Sequence, residues 1–283
     1  MRWRHWEEKF FQGLMITATS LAALVLLFIV AAIVVKGVKA LNWDIIFRLP
    51  KGGYYLGRGG GILNAIIGSL QLAGGATILA FFLSLPVVFY LNLFSRPGSF
   101  WPSVTRFSLD VLWGVPSIVY GAFGFLLMTI LGWRASLLLG IITLASLEVP
   151  IMSRAMDEVL RLVPRELSEA SFSLGATKLE TAWKVVLRQA LPGIITAVLI
   201  AFGRAIGDAA SVLLTAGYTD NITTSLFQPV ASLPLAIFFQ LGTPYPEVQQ
   251  RAYAAAIILT LIILFISLLA RGIIRHYARH TVR

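Results

Sequence analysis

Cysteine is absent from all 283 residues, which excludes disulfides, thiol catalysis and thiolate metal ligands. Histidine is almost absent. Its three copies, His5, His276 and His280, all lie in the two basic tails, so no histidine-ligated metal site is expected. Charge is scarce too: only 13% of residues are charged, and the acids are outnumbered 13 to 23. No G-x-x-x-x-G-K-[S/T] phosphate loop occurs. Gly52-Gly53 and Gly59-Gly60-Gly61 lack its lysine and its strand-to-helix setting. The chain is therefore not expected to hydrolyse ATP or to bind a cofactor. With no histidine or cysteine inside an apolar run, an intramembrane enzyme is disfavoured. No clear repeat relates the two halves, which disfavours the inverted-repeat plan of ion-gradient transporters.

What fills the sequence is apolar. Hydrophobic residues make up 58% of it, and mean hydropathy is +0.83. Water cannot solvate that much apolar surface on a chain of this length, but lipid can. A helix needs about 20 apolar residues to cross the hydrocarbon core. Six runs are read as transmembrane helices: 13–35, 63–94, 111–131, 135–149, 191–216 and 253–270. None alternates with the period of two that barrel strands require. Pro86 predicts a kink in the second run, and Pro116 falls in the first turns of the third. The first run is longer than a signal-peptide core of about 7–15 residues, and Val38-Lys39-Ala40 is a poor cleavage site, so it is read as an uncleaved anchor. The expected plan is an all-α membrane protein with a tail at 1–12 and one transmembrane domain at 13–283.

The basic residues flank the apolar runs. With the N terminus inside, cytoplasmic segments carry 15 Lys and Arg against 7 outside. Both termini are thus expected in the cytoplasm. The dissenting segment is 36–62, whose five basic residues fall outside.

The segment 151–190 reads as two helices. Pro164 suits a helix start, with Glu166 and Glu169 in the opening turns where acids favour the dipole. Leu167, Ala170 and Leu174 share a face. Gly175 suits a C-terminal cap. Thr177 followed by Glu180 spells a capping box. Leu179, Ala182, Val186 and Ala190 then form an apolar stripe.

Three charged groups lie in or beside apolar runs. Glu148 precedes Pro150 and is placed at the end of its span, at the interface. Arg204 and Asp208 lie in Gly203-Arg204-Ala205-Ile206-Gly207-Asp208 and can pair at a spacing of four. Gly203 and Gly207 have the spacing that admits another helix. One reading is a packing helix with an internal ion pair. The other, preferred because intramembrane charges usually face a polar cavity, is a solute path on which Arg204 attracts an anion and Asp208 tempers the field. Arg106 and Asp110 are likewise four apart.

The run Glu169-Ala170-Ser171, Gly175, Val185-Val186-Leu187 resembles the EAA loop of ABC-importer permeases, E-A-A, three residues, G, nine residues, I-x-L-P. Ser171 and Val185 are mild replacements. Arg188 stands in place of proline, and Leu191-Pro192-Gly193 downstream is expected to supply the break. Val115-Pro116-Ser117-Ile118-Val119-Tyr120-Gly121 resembles the V-P-S-I-V-x-G segment of phosphate permeases. Arg204-Ala205-Ile206-Gly207-Asp208 resembles their R-A-x-G-E run, with Asp208 for Glu. Gly59-Gly60-Gly61-Ile62 and Leu233-Pro234-Leu235-Ala236-Ile237 are similar to further segments. The resemblance is to PstA-type phosphate permease subunits, and it covers the chain from about residue 59. It implies the type I ABC-importer permease architecture. It also implies that Glu166, Glu169, Ala170, Ser171 and Gly175 couple to a cytoplasmic ATPase. The implied partners are a PstC-like permease, a PstB-like ATPase dimer using ATP-Mg, and a PstS-like phosphate-binding protein. Permeases for sulfate, molybdate or tungstate share the EAA design, so another oxyanion remains open.

Overall fold

A computed structural model describes residues 2–52, 54, 59–96 and 98–277; side chains are described for 7–52, 54, 59–96 and 98–272. His280 and the side chains of His5 and His276 fall outside these. The described chain is helical, with one isolated bridge between Pro50 and Gly60. Among the described residues eleven α-helices follow one another: α1 (Arg2–Gly37), α2 (Trp43–Phe47), α3 (Leu63–Phe89), α4 (Phe100–Trp113), α5 (Ser117–Leu131), α6 (Leu137–Arg161), α7 (Arg165–Ser173), α8 (Lys178–Thr181), α9 (Leu187–Gly207), α10 (Leu233–Leu241) and α11 (Pro246–Tyr277). Five helical segments are long and apolar enough to cross a membrane, and α4 with α5 makes a sixth if that bent pair is one span.

The core lies where α3, α6 and α9 meet. Small residues make that approach possible: Ala73, Ala76 and Ala80 of α3 and Ala197, Ala201 and Ala205 of α9 are buried there. Gly68 belongs to the same face, and a Cβ on it would overlap the Ala231 carbonyl. Polar side chains join the helices across this interface, as expected where apolar lipid offers no hydrophobic drive. The Ser84 hydroxyl donates to the Val149 carbonyl (3.3 Å), and that of Ser69 accepts the Leu233 N–H (2.7 Å). A second cluster, built on Ile45, Tyr54, Ile62 and Ala254, joins α2, α10 and α11. Large apolar side chains such as Phe28, Phe82, Ile130 and Phe265 stay exposed, a distribution that suits lipid or another subunit and not water.

Prolines account for most departures from the sequence reading. The third run is not one helix. It breaks at Gly114–Pro116, and α4 and α5 are bent by 99°. The Tyr120 hydroxyl donates to the Leu112 carbonyl (2.9 Å) and holds the bend closed. Conversely, α6 does not stop before Pro150 but runs on to Arg161, so the following segment starts at 162 and not 151. The helix tolerates the lost hydrogen bond because Leu147, Ile151 and Met152 around it are buried. Pro192 also lies inside a helix, so Leu191-Pro192-Gly193 does not supply the expected break. A π-helical turn, Ala182–Val186, instead joins α8 to α9. Pro86 is likewise inside α3, and a π turn at Tyr90–Phe94 follows it. The fifth run ends as a helix at Gly207. Residues 208–232 are irregular and dock on the N-terminal ends of α3 and α6, through Leu137 N–H to Gln228 O, Leu138 N–H to Leu226 O and the Asn64 amide to Thr219 O. Irregular backbone of this kind is tolerated at membrane depth only when it is covered by protein or lines a cavity.

Candidate functional site

The α7–α8 hairpin is closed at every backbone joint. Pro164 is the N-cap of α7, and Glu166 lies in the first turn. At the other end the Gly175 N–H bonds the Phe172 carbonyl (2.9 Å) and the Ala176 N–H reaches back to Ser171 (3.2 Å), the paired pattern of a Schellman cap. That cap requires a left-handed residue, and Gly175 has φ +82°. Two residues later the capping box forms. Glu180 N–H bonds the Thr177 hydroxyl (3.2 Å), and Thr177 N–H bonds the Glu180 carboxylate (3.0 Å). The hydroxyls of Ser171 and Thr181 bond one another at 2.9 Å. Serine in place of the second alanine thus ties the two arms of the hairpin together.

The hairpin stands out from the body. Glu166, Glu169, Ala170 and Gly175 are exposed, and Ser171 is half-buried. The expected inward face of α7 is not buried: Leu174 caps the helix and is 89% exposed, and Leu167 is only half-covered. Of the stripe on the second arm, Ala182, Val186 and Ala190 are buried, whereas Leu179 is exposed. Phe172, Leu174 and Leu179 therefore leave exposed apolar side chains around the turn of the hairpin, with acids on the same arm, a compact knob shaped for a groove. The second arm also touches the end of α3, through the Phe89–Trp183 ring pair (5.7 Å) and Lys178 over the Phe94 ring (5.9 Å).

Arg204 is exposed on α9 in its last turn, between Gly203 and Gly207. Nothing in the described chain lies within 4 Å of a Cβ on either glycine. The face that admits another helix is therefore open here. Arg204 and Asp208 do not pair. Asp208 caps α9 in an extended conformation (φ −82°, ψ 121°), so it is off the helix face, and its carboxylate accepts the Ser211 N–H at 2.8 Å. A small cavity of about 10 Å³ lies behind it, lined in part by Ser69, Asp208 and Ser232. That is close to the minimum for one water. Just beyond Asp208, Gly121 of the bent pair meets the backbone of Ala210 and Ser211. The opening turns of α5 and the segment that follows α9 thus meet at one place.

Two acids turn out more deeply placed than the sequence suggests. Glu148 is not at an interface. It is wholly buried in α6, where it accepts a hydrogen bond from Thr77 of α3 (2.9 Å). Asp157 is also wholly buried, and three guanidiniums reach it: Arg106 of α4 (2.9 Å), Arg154 (3.2 Å) and Arg161 (3.1 Å). Asn92, in the π turn after α3, donates to its other oxygen (2.8 Å). Arg106 and Asp110 do not bond each other, since each pairs with α6, Asp110 through Arg154 at 2.6 Å. The available signal was the spacing of Arg154, Asp157 and Arg161. It was hidden by taking Pro150 as a helix end.

The geometry is that of a known class. Residues 93–283 match the model of the binding-protein-dependent transport system inner membrane component. The phosphate transport system permease protein PstA 1 of Mycobacterium tuberculosis is 38% identical over 75% of this chain and 69% of its own length. The phosphate transport system permease protein PstA of Haemophilus influenzae is 30% identical over 97% of this chain and 96% of its own. Among solved structures, a bacterial alginate ABC transporter in complex with an alginate-bound periplasmic protein superposes with a TM-score of 0.67 at 15% identity, covering 99% of both chains. The chain belongs to the binding-protein-dependent transport system inner membrane components and, within them, to the PstA phosphate permease proteins.

Proposed function

We propose that this chain is the channel subunit of an ATP-driven inorganic phosphate importer in a bacterial plasma membrane, with both termini in the cytoplasm. The observation that carries the reading is the capped, projecting α7–α8 hairpin on a chain akin to phosphate permeases. Its apolar tip and exposed Glu166 and Glu169 supply what a cleft in a PstB-like ATPase dimer would grip. ATP-Mg is consumed by that partner, and no cofactor is assigned to this chain. The distribution of Lys and Arg supports the orientation. The open Gly203–Gly207 face suits a PstC-like permease across the channel. A PstS-like binding protein would dock on the outer segments 36–62 and 217–252.

The cycle follows from differential affinity. Loaded binding protein and ATP together favour the outward-open state. The anion then passes Arg204, whose charge is not cancelled by Asp208 because that carboxylate is turned to the Ser211 N–H. Hydrolysis restores the inward state. The test is uptake of labelled phosphate, against sulfate, molybdate and tungstate, by vesicles holding this chain with its permease, ATPase and binding-protein partners. Phosphate uptake that needs ATP and is abolished by Glu169→Lys is expected. Arg204→Ala should lower uptake about tenfold, the effect of losing ~1.4 kcal/mol of attraction for the anion. Uptake of another oxyanion would overturn the substrate, and uptake without ATP would overturn the coupling.

A further inference from the structure

We infer that Asp157 is the positioning residue that carries hairpin movement to the bent α4–α5 pair, by holding the ends of α3, α4 and α6 as one block. The inference rests on the hairpin being the ATPase contact.

Little of the α4 helix is buried. Of its fourteen residues only Pro102 and Leu109 are buried. Phe100, Trp101, Phe107 and Val111 are exposed. Its central fixed point is Arg106, whose Nε and Nη2 both bond Asp157 (2.9 and 3.1 Å) and whose Nη2 also bonds the Leu91 carbonyl (3.2 Å); the second is Asp110, paired with Arg154. Among the described residues Asp157 is the sole carboxylate paired with Arg106, and likewise with Arg161. Arg154 differs, because Asp110 and Glu158 share it. Asp110 belongs to α4, so its pair with Arg154 (2.6 Å) is a second tie between α4 and α6, and loss of the Asp157 charge would leave α4 held to α6 by that one ion pair.

Both arms of the hairpin lead to this point. Arg161 ends α6, and only Leu162–Pro164 separate it from α7. The other arm meets the end of α3 through Phe89–Trp183 and Phe94–Lys178, on either side of Asn92. Downstream, α4 leads through the Gly114–Pro116 bend, closed by Tyr120, to α5 and the Ala210–Ser211 backbone next to Asp208. A push on the hairpin thus reaches the Arg204 region through α4 only if α4 moves with α6. Asp157 enforces that together with the Arg154–Asp110 pair, and it alone ties Asn92 after α3 into the same block.

The experiment uses the assembled complex in vesicles and reads two rates: phosphate taken up, and ATP hydrolysed in the presence of binding protein. For Asp157→Asn, a near-isosteric change that removes the charge, uptake should fall tenfold or more, while hydrolysis changes less than twofold at equal subunit levels. Arg106→Gln, which leaves Arg154 and Arg161 on Asp157, should lower uptake per ATP in the same direction, and Arg106→Lys should restore part of it. The Arg106 pair decides the matter if Asp157→Asn does not accumulate. An unchanged ratio of uptake to hydrolysis in the variants, whether both rates fall together or neither does, would overturn the inference. Failure of the hairpin reading would show separately, as Glu169→Lys leaving ATP-dependent uptake unchanged.

Discussion

Replacing Gly175 tests why the coupling hairpin carries a glycine at that position. Its φ of +82° is open to glycine and costly for a residue with a Cβ. Within this chain a Cβ there would meet nothing within 4 Å. The expense of Gly175→Ala is therefore backbone strain alone, about 1–2 kcal/mol. If the strain is relieved by opening the Schellman cap, the docking-competent hairpin is depleted by at most about 5–30-fold, and affinity for the ATPase weakens by the same factor. Gly175→Asn keeps a side chain but tolerates the left-handed region, so it should lose much less. The assay is a titration of purified ATPase subunit onto the permease pair in nanodiscs, read as bound ATPase and as stimulated hydrolysis. Alanine should shift the midpoint without lowering the plateau, and asparagine should fall near wild type. If asparagine were as damaging as alanine, the glycine would be required for space against the partner. If alanine shifted nothing, the cap would play no part in docking.

Three further outcomes follow from other sites. Gly68→Ala would drive a Cβ into the Ala231 carbonyl and should lower the thermal midpoint in detergent, whereas Gly74→Ala in the same helix meets nothing and should hold or raise that midpoint, through a stability gain of up to about 1 kcal/mol. Thr77→Val would leave the buried Glu148 carboxyl without the hydroxyl it accepts from, at a stability loss of about 1–3 kcal/mol; Glu148→Gln, which keeps shape and acceptor, should lose less, and equal losses in denaturation would refute the interhelical bond. Tyr54 lies outside the spans, and burial pushes its phenol up from the ordinary value. The unfolded chain would ionise first, so the stability Tyr54 lends is full below pH about 10 and falls as pH rises beyond it. Tyr54→Phe should flatten that alkaline decline, and an ultraviolet difference titration showing an ordinary phenol in the native protein would contradict the burial.

The hairpin was legible because its signals are local. Thr177 and Glu180 are three residues apart, as are Phe172 and Gly175, and capping is decided within such distances. Membrane character was legible because it depends on summed composition. The same locality explains the failures at proline. Pro150 and Pro192 each forbid one hydrogen bond, and a sequence window counts that loss without seeing the packing on either side that offsets it. At Pro116 the packing does not offset it. Residues 111–114 are exposed, so nothing in this chain holds a helix straight there, and the chain turns through 99°.

The buried acids show where reading along one segment stops working. Arg106 lies 51 positions from Asp157 and Asn92 lies 65 away, so no spacing rule joins them. Yet part of the evidence was periodic. Once α6 is carried through Pro150, Ser153, Met156, Asp157 and Leu160 fall on one buried stripe. A carboxylate in such a stripe must meet cations or lose heavily in desolvation, and Arg154 and Arg161 at three and four residues are the first of them. Arg204 presents the opposite case. It lies in an apolar run with no acid turned toward it, because Asp208 leaves the helix to cap its end. A charge satisfied within the chain fixes structure, as Asp157 does. One left exposed in a membrane span must be met by something outside the chain, and beside the open Gly203–Gly207 face that something is a partner subunit or the passing anion.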